Sequence, residues 1–366
     1  MFVNCKRLSL WALVASCCAV VGTTSVQGGD QVGSPGTATG QTTTPEPILT
    51  EQEGAEVSRL LKVMDAALSG ELVPSDIRAD VNLEFLRAQE GQVYIPFTLR
   101  LNPATVGQSV TVYVRLVPAG MVLAQPLDLE PAETDTGRVP VEPPSYSFED
   151  VHFIDLRLAE EGDYVAQRAF AASAGSYDLY IGIKDSELGE TESEEIRWGV
   201  IKRTVEVPDL WSGQLTTSTI FVTERVETIL TPLSPEQQRS DPYAIGSARL
   251  VLRDTLEYAK TDTLSFLFFI YNPSLVESKP NVTVEYTFHQ RTVSGEEMFN
   301  STTPQTLSAE TLPPQLDMTA GHQLSAGQNV PLSAFPEGIF RLEIKITDNE
   351  LATSISRDVT FTVVGS

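Results

Sequence analysis

Cysteine is almost missing from this chain. Its 366 residues include three, Cys5, Cys17 and Cys18, all within the first eighteen positions. Histidine is equally scarce, and none of His152, His289 and His322 lies within helical spacing of another. Positive charge is also short, with 25 Lys and Arg against 49 Asp and Glu and a formal net charge of −24. No apolar run reaches the roughly 20 residues that a spanning helix needs.

Each shortage excludes something. The acidic balance repels phosphate backbones and anionic lipid, so nucleic-acid binding would need a local basic patch, and none is present. The sequence has no His-Glu-x-x-His element, no Gly-x-Ser-x-Gly elbow and no Walker-type phosphate loop. No catalytic, cofactor-binding or metal residue is assigned from sequence.

The cysteine placement points to export. Lys6 and Arg7 precede an apolar stretch from Leu8 to Val21, about 14 residues long, so residues 1–28 read as a signal peptide. Cleavage after Ser25 or Gly28 satisfies the preference for small residues and removes every thiol. It takes two cations from 25 and no acid from 49, leaving a net charge of −26. A second route stays open: Val14-Ala15-Ser16-Cys17 has the form of a bacterial lipoprotein box, in which Cys17 is acylated and becomes the first mature residue. The apolar residues after Cys17 argue against this route. Export places the chain in the periplasm, on the outer surface or outside the cell.

Residues 29–48 are rich in Gly, Thr and Pro and nearly free of large apolar side chains, which gives a flexible linker. Thr50 and Glu53 have capping-box spacing, and Val57, Leu60, Leu61, Met64 and Leu68 recur with helical period before Gly70. Residues 49–77 are therefore read as one amphipathic helix with its connector.

From residue 80 the period changes to two. Val81, Leu83 and Phe85 alternate, then Val93, Ile95, Phe97, Leu99 and Leu101 share a face, with a hairpin between the two segments. Val110 to Leu116, Tyr177 to Ile183, and Val205 with Val207 continue the pattern. Strands without intervening helices indicate antiparallel sandwiches. Residues 118–147 are too proline-rich for central strands and read as a long loop.

The most specific feature is a duplication. GSYDLYIGIKDSEL (175–188) matches GIFRLEIKITDNEL (338–351) without gaps, with eight of fourteen positions alike in character. A second match, in the same order, surrounds Asn102-Pro103 and Asn272-Pro273. Two copies of one unit account for this, over 78–207 and 208–366. In the shared block, glycine enters the strand through a turn, alternating apolar residues form the core face, and Asp185 or Asp348 opens the hairpin.

The Gly-x-aromatic entry resembles the penultimate strand of immunoglobulin-like domains, without the cysteines that bridge the sheets in antibodies. Across 78–366 the segments VNLEFLRAQEGQVYIPFTLRL, QRAFAASAGSYDLYIGIKD, SFLFFIYNP, AGHQLSAG and FPEGIFRLEIKITD resemble uncharacterised secreted bacterial tandem immunoglobulin-like proteins. Such sandwich pairs also accompany Gly-Trp-x-Thr-Asp and von Willebrand factor A-related domains, whose signatures do not occur here. The resemblance implies an all-β, exported pair of sandwiches after one short helix, and no catalytic residue.

Three further readings concern chemistry. Trp198 and Trp211 are candidate ligand contacts, since a flat aromatic platform takes a sugar ring, although aromatics on strands more often fill cores. Acidic residues across 185–195 offer carboxylate oxygens for calcium, but without EF-hand spacing. A hydrolase using paired carboxylates is the remaining enzymatic reading. The leading expectation is a noncatalytic envelope module for protein interaction or structure, with a protein partner and glycan binding as its alternative.

Overall fold

The structure is a computed structural model that describes residues 50–73, 75–121, 146–159, 162–186, 196–231 and 233–365. The signal peptide, the linker at 29–48, Cys17, most of the proline-rich loop and acidic residues 187–195 lie outside them. The described residues are mostly β, arranged in several antiparallel sheets with two helices.

Helix α1 (Glu51–Leu68) starts where the capping pattern places it. The Thr50 hydroxyl accepts the Glu53 N–H at 3.2 Å, and the Glu53 carboxylate accepts the Thr50 N–H at 2.8 Å. Nine strands follow: β1 (Ala79–Leu83), β2 (Leu86–Arg87), β3 (Gln92–Leu101), β4 (Ser109–Pro118), β5 (Phe148–Asp155), β6 (Arg157–Leu158), β7 (Tyr164–Ser173), β8 (Gly175–Asp185) and β9 (Trp198–Val207). They form sheet A, ordered β1-β3-β7-β6 with β2 beside β3, and sheet B, ordered β5-β4-β8-β9.

The next segment has β10 (Thr216–Thr217), β11 (Phe221–Thr228), helix α2 (Pro235–Ser240), β12 (Ala244–Ile245), β13 (Ala248–Leu252), β14 (Glu257–Ala259) and β15 (Thr263–Tyr271). Then come β16 (Leu275–Val276), β17 (Lys279–Pro280), β18 (Val282–Thr292), β19 (Gly295–Ser301), β20 (Gln305–Leu307), β21 (Leu324–Pro331), β22 (Gly338–Asp348) and β23 (Thr353–Val364). Sheet C is ordered β10-β15-β11-β13-β12 with β21 beside β15. Sheet D is ordered β14-β23-β22-β18-β19 with β20 beside β18, and β14 joins β23 in parallel.

The pairing order recurs. β1-β3-β7 and β5-β4-β8-β9 in the first set correspond to β11-β15-β21 and β19-β18-β22-β23 in the second. The two repeated sequence blocks occupy β8 and β22, each pairing back on the strand after it, β9 or β23.

Alternation decides the layering. On β3, Val93, Ile95, Phe97 and Leu99 pack with Val112, Val114, Ile181 and Ile183 of sheet B. The intervening Tyr94, Thr98 and Arg100 bond to Pro242, Tyr243 and Asp254 on the other side. On β15, Leu264, Phe266, Phe268 and Ile270 join the core of sheet D, while Phe269 and Tyr271 join that of sheet A. Sheets B, A, C and D are thus stacked in that order. β3 and β15, buried on both faces, read as nearly continuous apolar runs, as such strands must.

The outermost faces differ. α1 covers sheet B with Leu60, Met64 and Leu68 against Tyr113, Val117 and Tyr180. Two buried cations hold it: Arg115 bonds Asp65 at 2.6 Å and Glu149 at 2.9 Å, and Lys184 bonds Glu56 at 2.9 Å. The corresponding face of sheet D carries ion pairs instead, Arg341 with Glu296 and Glu343, and Lys345 with Glu285.

Candidate functional site

The seam where sheet C meets sheet A collects polar and aromatic chemistry. The Tyr243 hydroxyl donates to the Glu84 carboxylate at 2.6 Å and lies 2.9 Å from the Thr98 hydroxyl, which accepts from Gln167 Nε2 at 3.4 Å. The Tyr94 hydroxyl donates to the Pro242 carbonyl at 3.0 Å. Burial pushes the Glu84 carboxyl up to about 7, against the lowering effect of the Tyr243 bond. Burial also raises both tyrosines, Tyr243 further through the Glu84 charge and Tyr94 through that of Asp241. The backbone closes the same seam, since Phe85 N–H donates to Thr219 Oγ1 at 2.8 Å and Thr219 N–H to the Phe85 carbonyl at 3.0 Å.

Beside it, the Arg87 guanidinium lies 4.4 Å from the Trp211 ring and 4.6 Å from the Tyr271 ring. It donates through Nε to the Leu210 carbonyl at 3.1 Å and through Nη2 to Asn272 Oδ1. Burial lowers its pKa, with Tyr271 opposing. Asn272 adopts φ +56°, a left-handed conformation that asparagine tolerates, and its amide donates to the Leu210 and Gln214 carbonyls. The repeated Asn-Pro pair therefore anchors the junction in the second half.

The two candidate tryptophans fall on different layers. The Trp198 ring packs with the residues beneath α1, and its carbonyl accepts the Asp76 and Ile77 amides at 2.7 and 2.9 Å. Trp211 remains 42% exposed, but Arg87 lies over its ring and its indole N–H donates to the Gln92 carbonyl at 2.9 Å. Both serve contacts within the chain.

A cleft of about 310 Å³ opens at the seam, with apolar walls from Phe85, Pro208, Ile220 and Val359. Its hydroxyls and its guanidinium are already engaged. Thr217 Oγ1 accepts Arg357 Nε at 3.1 Å, Thr219 Oγ1 accepts Phe85 N–H, and Ser218 Oγ accepts the Phe269 N–H while donating to the Thr219 carbonyl. Asp358 is the one carboxylate among the lining residues, whereas glycoside hydrolysis uses a facing pair. Elsewhere, His322 Nδ1 accepts the Asp317 N–H at 3.0 Å, and His289 Nε2 lies 3.3 Å from Glu343 on sheet D. Among the described residues no group of three His, Cys, Asp or Glu is placed to hold a metal ion, and no described helix is long and apolar enough to cross a membrane. The acidic stretch 187–195 lies outside the described residues; at its threshold, Asp185 Oδ2 accepts the Gly107 N–H at 3.0 Å.

Sequence reasoning missed Glu84 and Tyr243. Each sits in an ordinary strand-like or loop-like stretch, and only their 159-residue juxtaposition sets them apart.

No family model matches the chain, and no curated protein matches it. Among solved structures, it is similar at 11% identity to trypsin-activated alpha-2-macroglobulin from Escherichia coli, over 81% of this chain and 17% of that one. The TM-score is 0.22, too low to carry an argument about fold or function.

Proposed function

We propose that this chain is a noncatalytic exported module of the bacterial cell envelope, acting through protein interaction or as a structural spacer. Its working unit is a tandem pair of immunoglobulin-like β-sandwiches, sheets B with A and C with D, of the kind found in the secreted bacterial proteins its sequence resembles. The repeated pairing order supports the tandem reading. The observation that carries the functional one is the seam cleft, whose hydroxyls and guanidinium are spent on intramolecular bonds, leaving a locked joint in place of a reactive pocket. Recognition then falls to outer surfaces, and the partner is an envelope or extracellular protein.

Crosslinking in the native cell, followed by identification of the captured chain, tests this reading. One envelope protein captured reproducibly is expected, and repeated capture of none counts against it. Sequencing the mature amino terminus separates cleavage at Ser25 or Gly28 from acylation at Cys17. A chain that retains Met1 in the cytoplasm removes the export reading.

A further inference from the structure

We propose that the seam between sheets A and C is a pH-sensitive latch, closed when the Glu84 carboxyl is protonated against Tyr243 and loosened when it ionises. Glu84, on the A side, faces Tyr243 from the segment before β12, and the tyrosine is 1% exposed. Around them, β3 contributes Tyr94 and Thr98, β7 contributes Gln167, and Asp241 lies beyond with its carboxylate held by Arg249 Nε at 2.6 Å. No Lys, Arg or His nitrogen lies within 4.0 Å of the Glu84 carboxylate among the described residues, so no cation offsets its charge in the joint. The group that bonds it is the neutral Tyr243 hydroxyl, which in turn lies against the neutral Thr98 hydroxyl.

The sign follows from burial. A carboxyl raised to about 7 in the folded chain binds its proton over a pH range where the unfolded chain has lost it. The latch is therefore fully closed below the ordinary glutamate range near 4.5 and weakens as pH rises through about 7. Phe85, next in sequence, is bonded to Thr219 across the joint, so its amide reports the opening directly.

The test is amide hydrogen exchange on the full chain at pH 5.5 and 8.5, comparing wild type with Glu84→Gln, which stays neutral at both. After correction for intrinsic exchange, the Phe85 and Thr219 amides of wild type are expected to lose protection by at least about tenfold relative to Glu84→Gln at pH 8.5, the equilibrium change of one pKa unit. The Ile344 amide in sheet D should not change. Equal behaviour of the two chains, or an equal loss at Ile344, overturns the latch. Should Glu84→Gln fail to fold, carboxyl carbon NMR of wild type decides: titration near 7 supports the proposal, and titration near 4.5 overturns it.

Discussion

Asp348, which closes β22, accepts the Ser274 N–H through Oδ2 at 2.6 Å. Its counterpart Asp185, which closes β8, accepts the Gly107 N–H at 3.0 Å. Ser274 and Gly107 both lie in loops opened by the Asn-Pro pairs. One bond in each half therefore joins the two separately repeated segments, linking the end of one strand to the crossover between two others. This gives the duplicated Asp a structural task independent of any ligand.

The bond makes an acid-dependent prediction. Burial would raise the Asp348 carboxyl, but the amides of Ser274, Leu351 and Glu350 outweigh it and hold the group below the usual aspartate range. A depressed carboxyl contributes stability at neutral pH that is lost as pH falls through its folded value. Asp348→Asn retains one acceptor and sets an NH2 against a backbone donor, so it should cost about 1.5–3 kcal/mol at pH 7, the range for hydrogen bonds to charged groups. Urea denaturation between pH 2.5 and 7 checks this: the stability gap between wild type and variant should narrow at the acid end.

Helix α1 rests on a glycine. A Cβ placed on Gly182 would meet the Met64 sulfur at 2.6 Å and a Leu60 methyl at 3.2 Å. Gly182→Ala should therefore overpack the joint and destabilise α1 by about 1–3 kcal/mol. Adding Met64→Ala makes room, and the double variant should cost less than the sum of the two single ones. Hydrogen exchange over residues 51–68 and thermal unfolding measure both effects; strictly additive losses would contradict the contact.

Much of this architecture is legible in the sequence because it is written in side-chain period. The Thr50 capping box, the Leu60, Met64 and Leu68 stripe and the alternation of β8 and β22 each follow from one local rule. Other elements are hidden for equally physical reasons. β7 is rich in alanine, whose small side chain blurs the contrast between faces. α2 is six residues long, too short to show a helical period, although Ser234 and Gln237 form a capping box. The seam is the hardest to foresee. β3 and β15 are apolar on both faces, and alternation assigns only one face to a core, so the partner of Tyr94, Thr98 and Tyr271 depends on tertiary placement. The tryptophans illustrate the same limit, since sequence marks Trp198 and Trp211 as aromatic but not that α1 and Arg87 adjoin them.

The most demanding prediction concerns the helix-facing charges. Arg115 is 2% exposed, pairs with Asp65 and Glu149, and lies 4.1 Å from the Tyr146 ring. Removing it leaves the Asp65 carboxylate, on the helix side, facing a covered site without that cation. Arg115→Met should cost about 3–5 kcal/mol, the usual penalty for breaking a buried pair by deleting one partner. Adding Asp65→Asn should recover much of that loss, because methionine fills the space and the Asp65 charge is removed. Denaturant titrations of the single and double variants, with far-ultraviolet dichroism following α1, test the argument. If the double variant is no more stable than Arg115→Met, the loss comes from packing around the guanidinium stem, and the ion pair with Asp65 contributes little.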